Sequence, residues 1–322
     1  NRCRVLGGIP TESMVIAKEW EGLKDIPKEY SDLYTVASHK DLLALLETEN
    51  HDYIAVLSYQ KGCTNSALFS EELIGYLIAN YPKRFSFYEG SPVKTVRLKN
   101  KVALLEVLDY MVQAKAAVLC TNGFENFKII NEAGIEIDTK FHANVAGRIG
   151  YMSGYLEPLS HPPTAISYFP KIKNTNDPTG EIYFYLTRRP HEHEGKKSYN
   201  LVCTGGPEKV LPNGAVYTKE DSCSEEVKNT VDNFLIENYN KFPTEEIKYQ
   251  FCWHGLMGYT PSGIRRIGPE PINPILLYNL GCNGVGILPS VYGGQKISRF
   301  LNGEHLPKSI FDPMDQRWED ET

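Results

Sequence analysis

The alternation of apolar and polar positions changes rhythm several times along the chain. Positions 1–60 are polar and read as mostly helical: Thr11, ahead of acidic and apolar residues, predicts a capped helix to about Leu23, and the cluster from His39 to Leu46 predicts a second. Positions 53–58 (YIAVLS) read as a short strand. After KGCTNSALFSEEL comes a helix with Leu68, Leu73, Ile74, Leu77 and Ile78 on one face. Positions 85–88, 92–98 and 102–108 then read as strands of a small antiparallel meander, and KAAVLC at 115–120 is apolar enough for a buried sheet.

Past position 141 the strands lengthen, with candidates at 142–157, 165–169, 182–186 and 199–203 separated by turn-forming PTG and TGGPE. A helix over about 220–240 interrupts them, with Val227, Val231, Phe234 and Leu235 as its inner stripe. CTGGP at 203–207 reads as a turn. His191-Glu192-His193-Glu194 reads as a solvated loop rather than a metal site, because no matching ligands lie near it in sequence.

The stretch YNLGCNGVGILPSVYGGQKISRFL at 278–301 predicts a strand, a glycine turn and a helix. Such a unit presents free backbone N–H groups and the positive end of a helix dipole above the turn, and this suits an anion or an electron-rich ring edge. Glycines at Gly281, Gly284 and Gly286 fit either a close ligand or tight packing of the turn. The residues after Leu306 predict an irregular tail.

Composition narrows the field. The chain has 322 residues, 41% of them hydrophobic and 23% charged, enough for a large core or two lobes. A net charge of −6 argues against nucleic acid as a partner, and no apolar run reaches bilayer-spanning length. Seven scattered cysteines without a CxxC pair lead to the expectation of a reduced, cytoplasmic setting.

Upstream of the glycine turn lies FCWHGLMGYTPSGIRRIGPE, in which Trp253, Gly255, Tyr259, Thr260, Pro261, Gly263, Ile267 and Gly268 precede the strand and GCNGVG at a distinctive spacing. This pattern resembles the C-terminal part of the D-amino-acid oxidase-like superfamily of FAD-dependent oxidoreductases. Glu89 to Val93, the meander after it, and VLCTNGF at 118–124 are also similar to that superfamily, the last in the form found in amine-oxidising members. The resemblance implies a mixed α/β (α+β) fold. An incomplete Rossmann-like FAD-binding lobe would comprise 61–140 and 251–305, and an antiparallel or mixed-sheet substrate-binding domain 141–250. A helical segment over 1–60 would pack at the lobe junction, with 306–322 as a tail. The family's opening strand-GxGxxG-helix unit has no counterpart here. NRCRVLGGI resembles the loop that follows that unit, giving the expectation of a fragment short of roughly 40 to 60 residues and weakened in FAD binding.

The resemblance also implies roles for residues. Gly281, Asn283, Gly284, Val285, Gly286 and Ile287 would face the pyrimidine edge of the flavin, with Thr121, Asn122 and Gly123 as further cofactor contacts and Val93 on the adenine side. Trp253 and His254 would lie near the ring as catalytic candidates, and Trp253 also reads as a core aromatic. Arg148, Tyr183, Tyr185 and Arg188 are substrate candidates, an arginine being the expected clamp for a carboxylate; surface charges and sheet aromatics are the other reading. Met257 stands where some relatives tether the flavin through cysteine, so FAD is expected to be noncovalent and Cys252 buried. Leu288 replaces a lysine of some oxidases and Ser262 an aspartate, which leaves oxidase and dehydrogenase both open. The implied reaction moves hydride from the C–N bond of a small amine or amino acid to the flavin. The alternative is a chain that kept the fold, lost the chemistry and serves as a binding or regulatory module.

Overall fold

Apolar alternation and glycine placement set most strands of the computed structural model, which describes residues 13–58, 64–99, 101–123, 127–137, 145–169, 183–212, 216–239 and 247–313. The NRCRVLGGI segment and the start of the helix expected at Thr11 lie outside these. The chain forms two compact units, one from 1–64, 150–209 and 218–255, the other from 65–149, 210–217 and 256–322.

In the first unit, β1 (Ser13–Ala17) lies between β2 (Tyr34–Ala37), to which it is parallel, and β3 (Ala55–Ser58), to which it is antiparallel. The sequence had pointed to a helix here. The β-branched pair Val15-Ile16 instead extends and buries Ile16 and Ala17, pairing with β3 outweighing the local cap signal. α1 (His39–Leu46) forms as expected: the Ser38 side chain accepts from Asp41 N at 3.2 Å, and Leu42, Leu43 and Leu46 are buried.

The larger sheet has the order β10-β11-β12-β9-β13. Its strands are β9 (Ala146–Pro158), β10 (Thr164–Tyr168), β11 (Phe184–His193), β12 (Lys196–Val210) and β13 (Tyr249–Tyr259). Two sequence readings change here. His191 and His193 end β11 rather than sitting in a loop, and the chain turns at Glu194 (φ 49°) and Gly195 (φ 75°), the two-residue turn that matches strand twist. CTGGP lies inside β12; a Cβ on Gly205 would stand 2.4 Å from Tyr151 O, and one on Gly206 2.2 Å from Tyr183 O. These glycines serve close backbone approach within a sheet, not a turn.

α3 (Glu225–Asn238) buries the predicted stripe of Val227, Val231, Phe234 and Leu235 in one core with Leu42, Leu43, Leu46, Tyr53, Val56, Tyr168, Phe184 and Leu186. The Tyr168 hydroxyl donates to Leu46 O at 2.6 Å, and Asn50 Nδ2 donates to Asn238 Oδ1 at 2.6 Å. In its described part, the segment over 1–60 belongs to this unit.

The second unit carries α2 (Ser66–Asn80) and the sheet β6-β5-β4-β8, made of β4 (Val93–Lys99), β5 (Val102–Val107), β6 (Tyr110–Ala114) and β8 (Lys128–Asn131). The meander is β4-β5-β6, antiparallel throughout. Positions 85–88 form no strand. A second sheet has the order β14-β15-β7, with β7 (Ala117–Leu119), β14 (Arg266–Pro269) and β15 (Leu276–Leu280), and β7 runs parallel to β15. All five residues of β15 are buried. It is followed by α4 (Ile287–Leu301). Among the described residues none of α2 is buried, so its apolar face lacks the cover that its pattern predicts.

Candidate functional site

The glycine turn sits where β15 ends and α4 begins. Gly281 and Gly284 both have φ 76° and Asn283 has φ 47°, conformations that side-chain-bearing residues other than Asn and Asp seldom adopt. Val285 N donates to Cys282 O at 2.9 Å and closes the turn. A Cβ on Gly284 would meet the Tyr259 hydroxyl at 2.9 Å, and one on Gly281 would meet the Thr260 methyl at 2.9 Å. Backbone geometry and packing therefore account for these two glycines.

The turn is tied to its surroundings by side-chain amides. Asn283 Oδ1 accepts from Thr260 N at 2.8 Å, while Asn283 N donates to Gly258 O at 3.0 Å. Asn122, in the left-handed region at φ 61°, accepts from Cys282 N through Oδ1 at 2.8 Å. The Asn122 carbonyl passes so close to Gly258 that a Cβ there would stand 2.0 Å from it. Gly123 has φ 98° and lies against Val145. Thr121, Asn122, Gly123 and the 281–286 turn, named separately from sequence, thus belong to one structure, joined by Asn122. Val93 lies elsewhere in this unit, at the start of β4, partly buried against the core of Val96, Leu98 and Leu119.

No side chain caps α4, whose N-cap residue is Gly286. The N–H groups of Ile287 and Leu288 have no acceptor within the helix, and the third helical position is Pro289, which has no N–H. Val285 and Leu288 beside this end are 68% and 77% exposed, which leaves the helix terminus open.

Arg265 braces the turn from below. Its Nε donates to Asn279 Oδ1 at 2.9 Å, and its terminal nitrogens donate to Asn279 O at 3.1 Å, Ser290 Oγ at 2.8 Å and Gly281 O at 3.4 Å. One guanidinium thus joins the end of β15 to the first turn of α4. Burial pulls its pKa down, opposed by the Cys282 and Cys120 thiols. Burial likewise pushes the Cys120 thiol up, with Arg265 opposing. Sequence reading passed over Arg265 and Asn279; two polar residues in an otherwise apolar strand-turn-helix were the available signal.

Arg148, on β9, lies with its Cζ 5.0 Å from the centroid of the Tyr259 ring. Tyr259 in turn packs against Gly284, so Arg148 and the turn share a neighbour. Arg188 differs. It is 2% exposed, and each guanidinium nitrogen faces protein: Nε stands 2.5 Å from Glu157 Oε1 as an ion pair rather than an aligned hydrogen bond. NH1 donates to Pro162 O at 3.0 Å and Glu47 Oε1 at 3.3 Å, and NH2 to Glu47 Oε2 at 2.6 Å and the Tyr239 hydroxyl. Its expected role as a substrate clamp is corrected accordingly: the guanidinium is fully engaged inside the first unit.

The other candidates of the first unit lie on its large sheet. Tyr183 and Tyr185 continue a row with Phe169, ring centroids 5.8 and 5.9 Å apart, and burial raises both phenol pKa values. Trp253 is 43% exposed, which removes the core-aromatic reading. His254 lies beside the Tyr151 ring at 5.7 Å, with Nε2 2.7 Å from Asp221 O, so this nitrogen carries the proton. Cys252, expected to be buried, is exposed.

Comparison with known proteins bears on the family. A family model described as FAD dependent oxidoreductase (DAO) matches residues 10–299. Glycine oxidase from Geobacillus kaustophilus superposes with a TM-score of 0.62 at 14% identity, over 95% of this chain and 75% of that one. L-proline dehydrogenase from P. horikoshii gives 0.62 at 14% identity, over 96% and 77%. Iminodiacetate oxidase from Chelativorans sp. BNC1 gives 0.55 at 12% identity, over 94% and 76%. Among curated protein sequences none matches. At these identities the structures speak to the fold, which is the mixed α/β fold expected, while the family model spans most of the chain and speaks to the chemistry. The chain belongs to the DAO family of FAD-dependent oxidoreductases, and FAD is its cofactor.

Proposed function

We propose that the protein oxidises a small amine or amino acid at a C–N bond, with FAD held noncovalently at the N-terminus of α4. The observation that carries this reading is the uncapped start of that helix above a braced glycine turn. Its donor set fits the group. The Ile287 and Leu288 N–H groups, the helix dipole and the Arg265 cation beneath them all favour an electron-rich ring edge over a cation. When bound, FAD supplies the two-electron acceptor.

The chain's own part is to bind and orient. Asn122 and Asn283 fix the turn so that the donors are set before the cofactor arrives, which lowers the ordering cost of binding. Arg148 anchors the carboxylate of an amino-acid substrate, its guanidinium held by the face of Tyr259. Within the first unit, Tyr183, Tyr185 and Trp253 offer aromatic surface, and His254 is held against the Asp221 carbonyl. Arg188 takes no part. Met257 leaves the family's tethering position without a thiol.

An absorbance spectrum of the purified protein before and after addition of FAD tests the reading. Bound-flavin bands that bleach anaerobically with amino acids or secondary amines are the expected result. Flavin bands that no amine bleaches would overturn the substrate class. No bands with excess FAD would overturn noncovalent binding by this chain and favour a binding or regulatory role.

A further inference from the structure

Cys223 and Cys252 lie 29 positions apart in sequence and belong to the same unit. Cys223 stands just ahead of α3 and Cys252 on β13, and Cys252 is near enough to act on the Cys223 thiol. Cys252 is exposed and Cys223 partly so, while the Ser153 hydroxyl stands 3.5 Å from Cys252 Sγ. The same two segments are also joined by the contact of His254 with the Asp221 carbonyl, two residues along from each cysteine. The pairing is thus part of a tight local junction. Neither cysteine has a part in the flavin reading.

We infer that Cys223 and Cys252 are a modification site, a dithiol that closes to a reversible disulfide when the protein meets a hydroperoxide. The thiolate of Cys252, the more exposed of the two, attacks a peroxide oxygen; the O–O bond breaks, an S–O bond forms and hydroxide leaves. Cys223 sulfur then attacks the resulting sulfenic acid, forming S–S and breaking S–O. The sum is two thiols and one hydrogen peroxide giving one disulfide and two waters, with the sulfur pair oxidised by two electrons and the peroxide reduced by two. Burial, followed by the neighbouring Cys252 and Glu225, raises the Cys223 thiol pKa, which suits it to the resolving step rather than the first attack. The bond would tie the start of α3 to β13 immediately beside Trp253 and His254.

The test is peptide mapping of the whole chain after brief treatment with hydrogen peroxide, quenching and alkylation with iodoacetamide without reductant. The expected result is one cross-linked pair of peptides carrying Cys223 and Cys252, lighter than the two free peptides by two hydrogens and separated again by dithiothreitol. In Cys223→Ser the attack by Cys252 should stop at the sulfenic acid and be captured by dimedone, while Cys252→Ser should give neither product. Alkylation of both cysteines in the peroxide-treated wild-type protein would overturn the proposal, as would direct passage of Cys252 to sulfinic acid with no cross-link. The wild-type map decides the matter even if a variant fails to fold.

Discussion

Arg148 and Arg188 stand on long strands of the sequence-predicted substrate region and look alike in the chain; burial separates them. Arg188 is held by Glu47, Glu157, Pro162 and Tyr239, and Glu47 reaches it because the end of α1 turns through a left-handed residue (φ 54°) that points the carboxylate inward. That arrangement joins residues 141 positions apart, which no local pattern reports. It has an energetic signature. Arg188→Met leaves two carboxylates without their cation and should cost about 3–5 kcal/mol, read as a lower denaturant midpoint, and adding Glu47→Gln with Glu157→Gln should return part of it. Arg148→Met should cost no more than about 1 kcal/mol while raising the KM of a carboxylate-bearing substrate. Similar stability losses in the two single variants would refute the distinction.

The element most legible in the sequence was the strand, turn and helix from β15 to α4. Its signals are local: a strand apolar but for Asn279, glycines where φ must be positive, and a helical period afterwards. What braces it was not legible, because Asn279 and Arg265 look like ordinary polar residues until their partners are known. The adjacent glycines of α4 show the difference. A Cβ on Gly293 would stand 2.4 Å from Asn279 Oδ1, whereas one on Gly294 meets nothing within 4 Å. Gly294→Ala should therefore stabilise the protein by about 0.5–1 kcal/mol through helix propensity alone. Gly293→Ala gains the same propensity but displaces the Asn279 amide from Arg265 and Ser290, for a net loss of about 1–2 kcal/mol. Thermal midpoints measured side by side should move in opposite directions, and a shift of the same sign in both would show that Asn279 has no bracing role. The apolar face of α2 marks the opposite limit, since a pattern announces that a face wants cover without saying what covers it.

At the scale of the molecule, the family pattern was readable because it lies in one continuous run from Trp253 to Leu301, while the membership of residues 13–58 in the first unit was not. That membership depends on tertiary bonds such as Tyr168 to Leu46 and Tyr53 to Asn238. These bonds belong to a core that buries several phenols, which gives the first unit a pH signature. Burial above all, and then the carboxylates of Asp52, Glu157, Glu47 and Asp232, raises the pKa values of Tyr53, Tyr155, Tyr168 and Tyr249, that of Tyr53 to about 12. An unfolded phenol releases its proton near pH 10. Between about pH 10 and 12 the unfolded state therefore binds fewer protons than the folded one, so the stability these groups contribute is fully present below pH 10 and falls as pH rises. The melting temperature should hold to about pH 9.5 and drop steeply beyond it, with the phenolate absorbance of these tyrosines appearing only as the unit unfolds. If that absorbance rises in full while the protein remains folded, the phenols are not held in the core that joins α1, α3 and the large sheet.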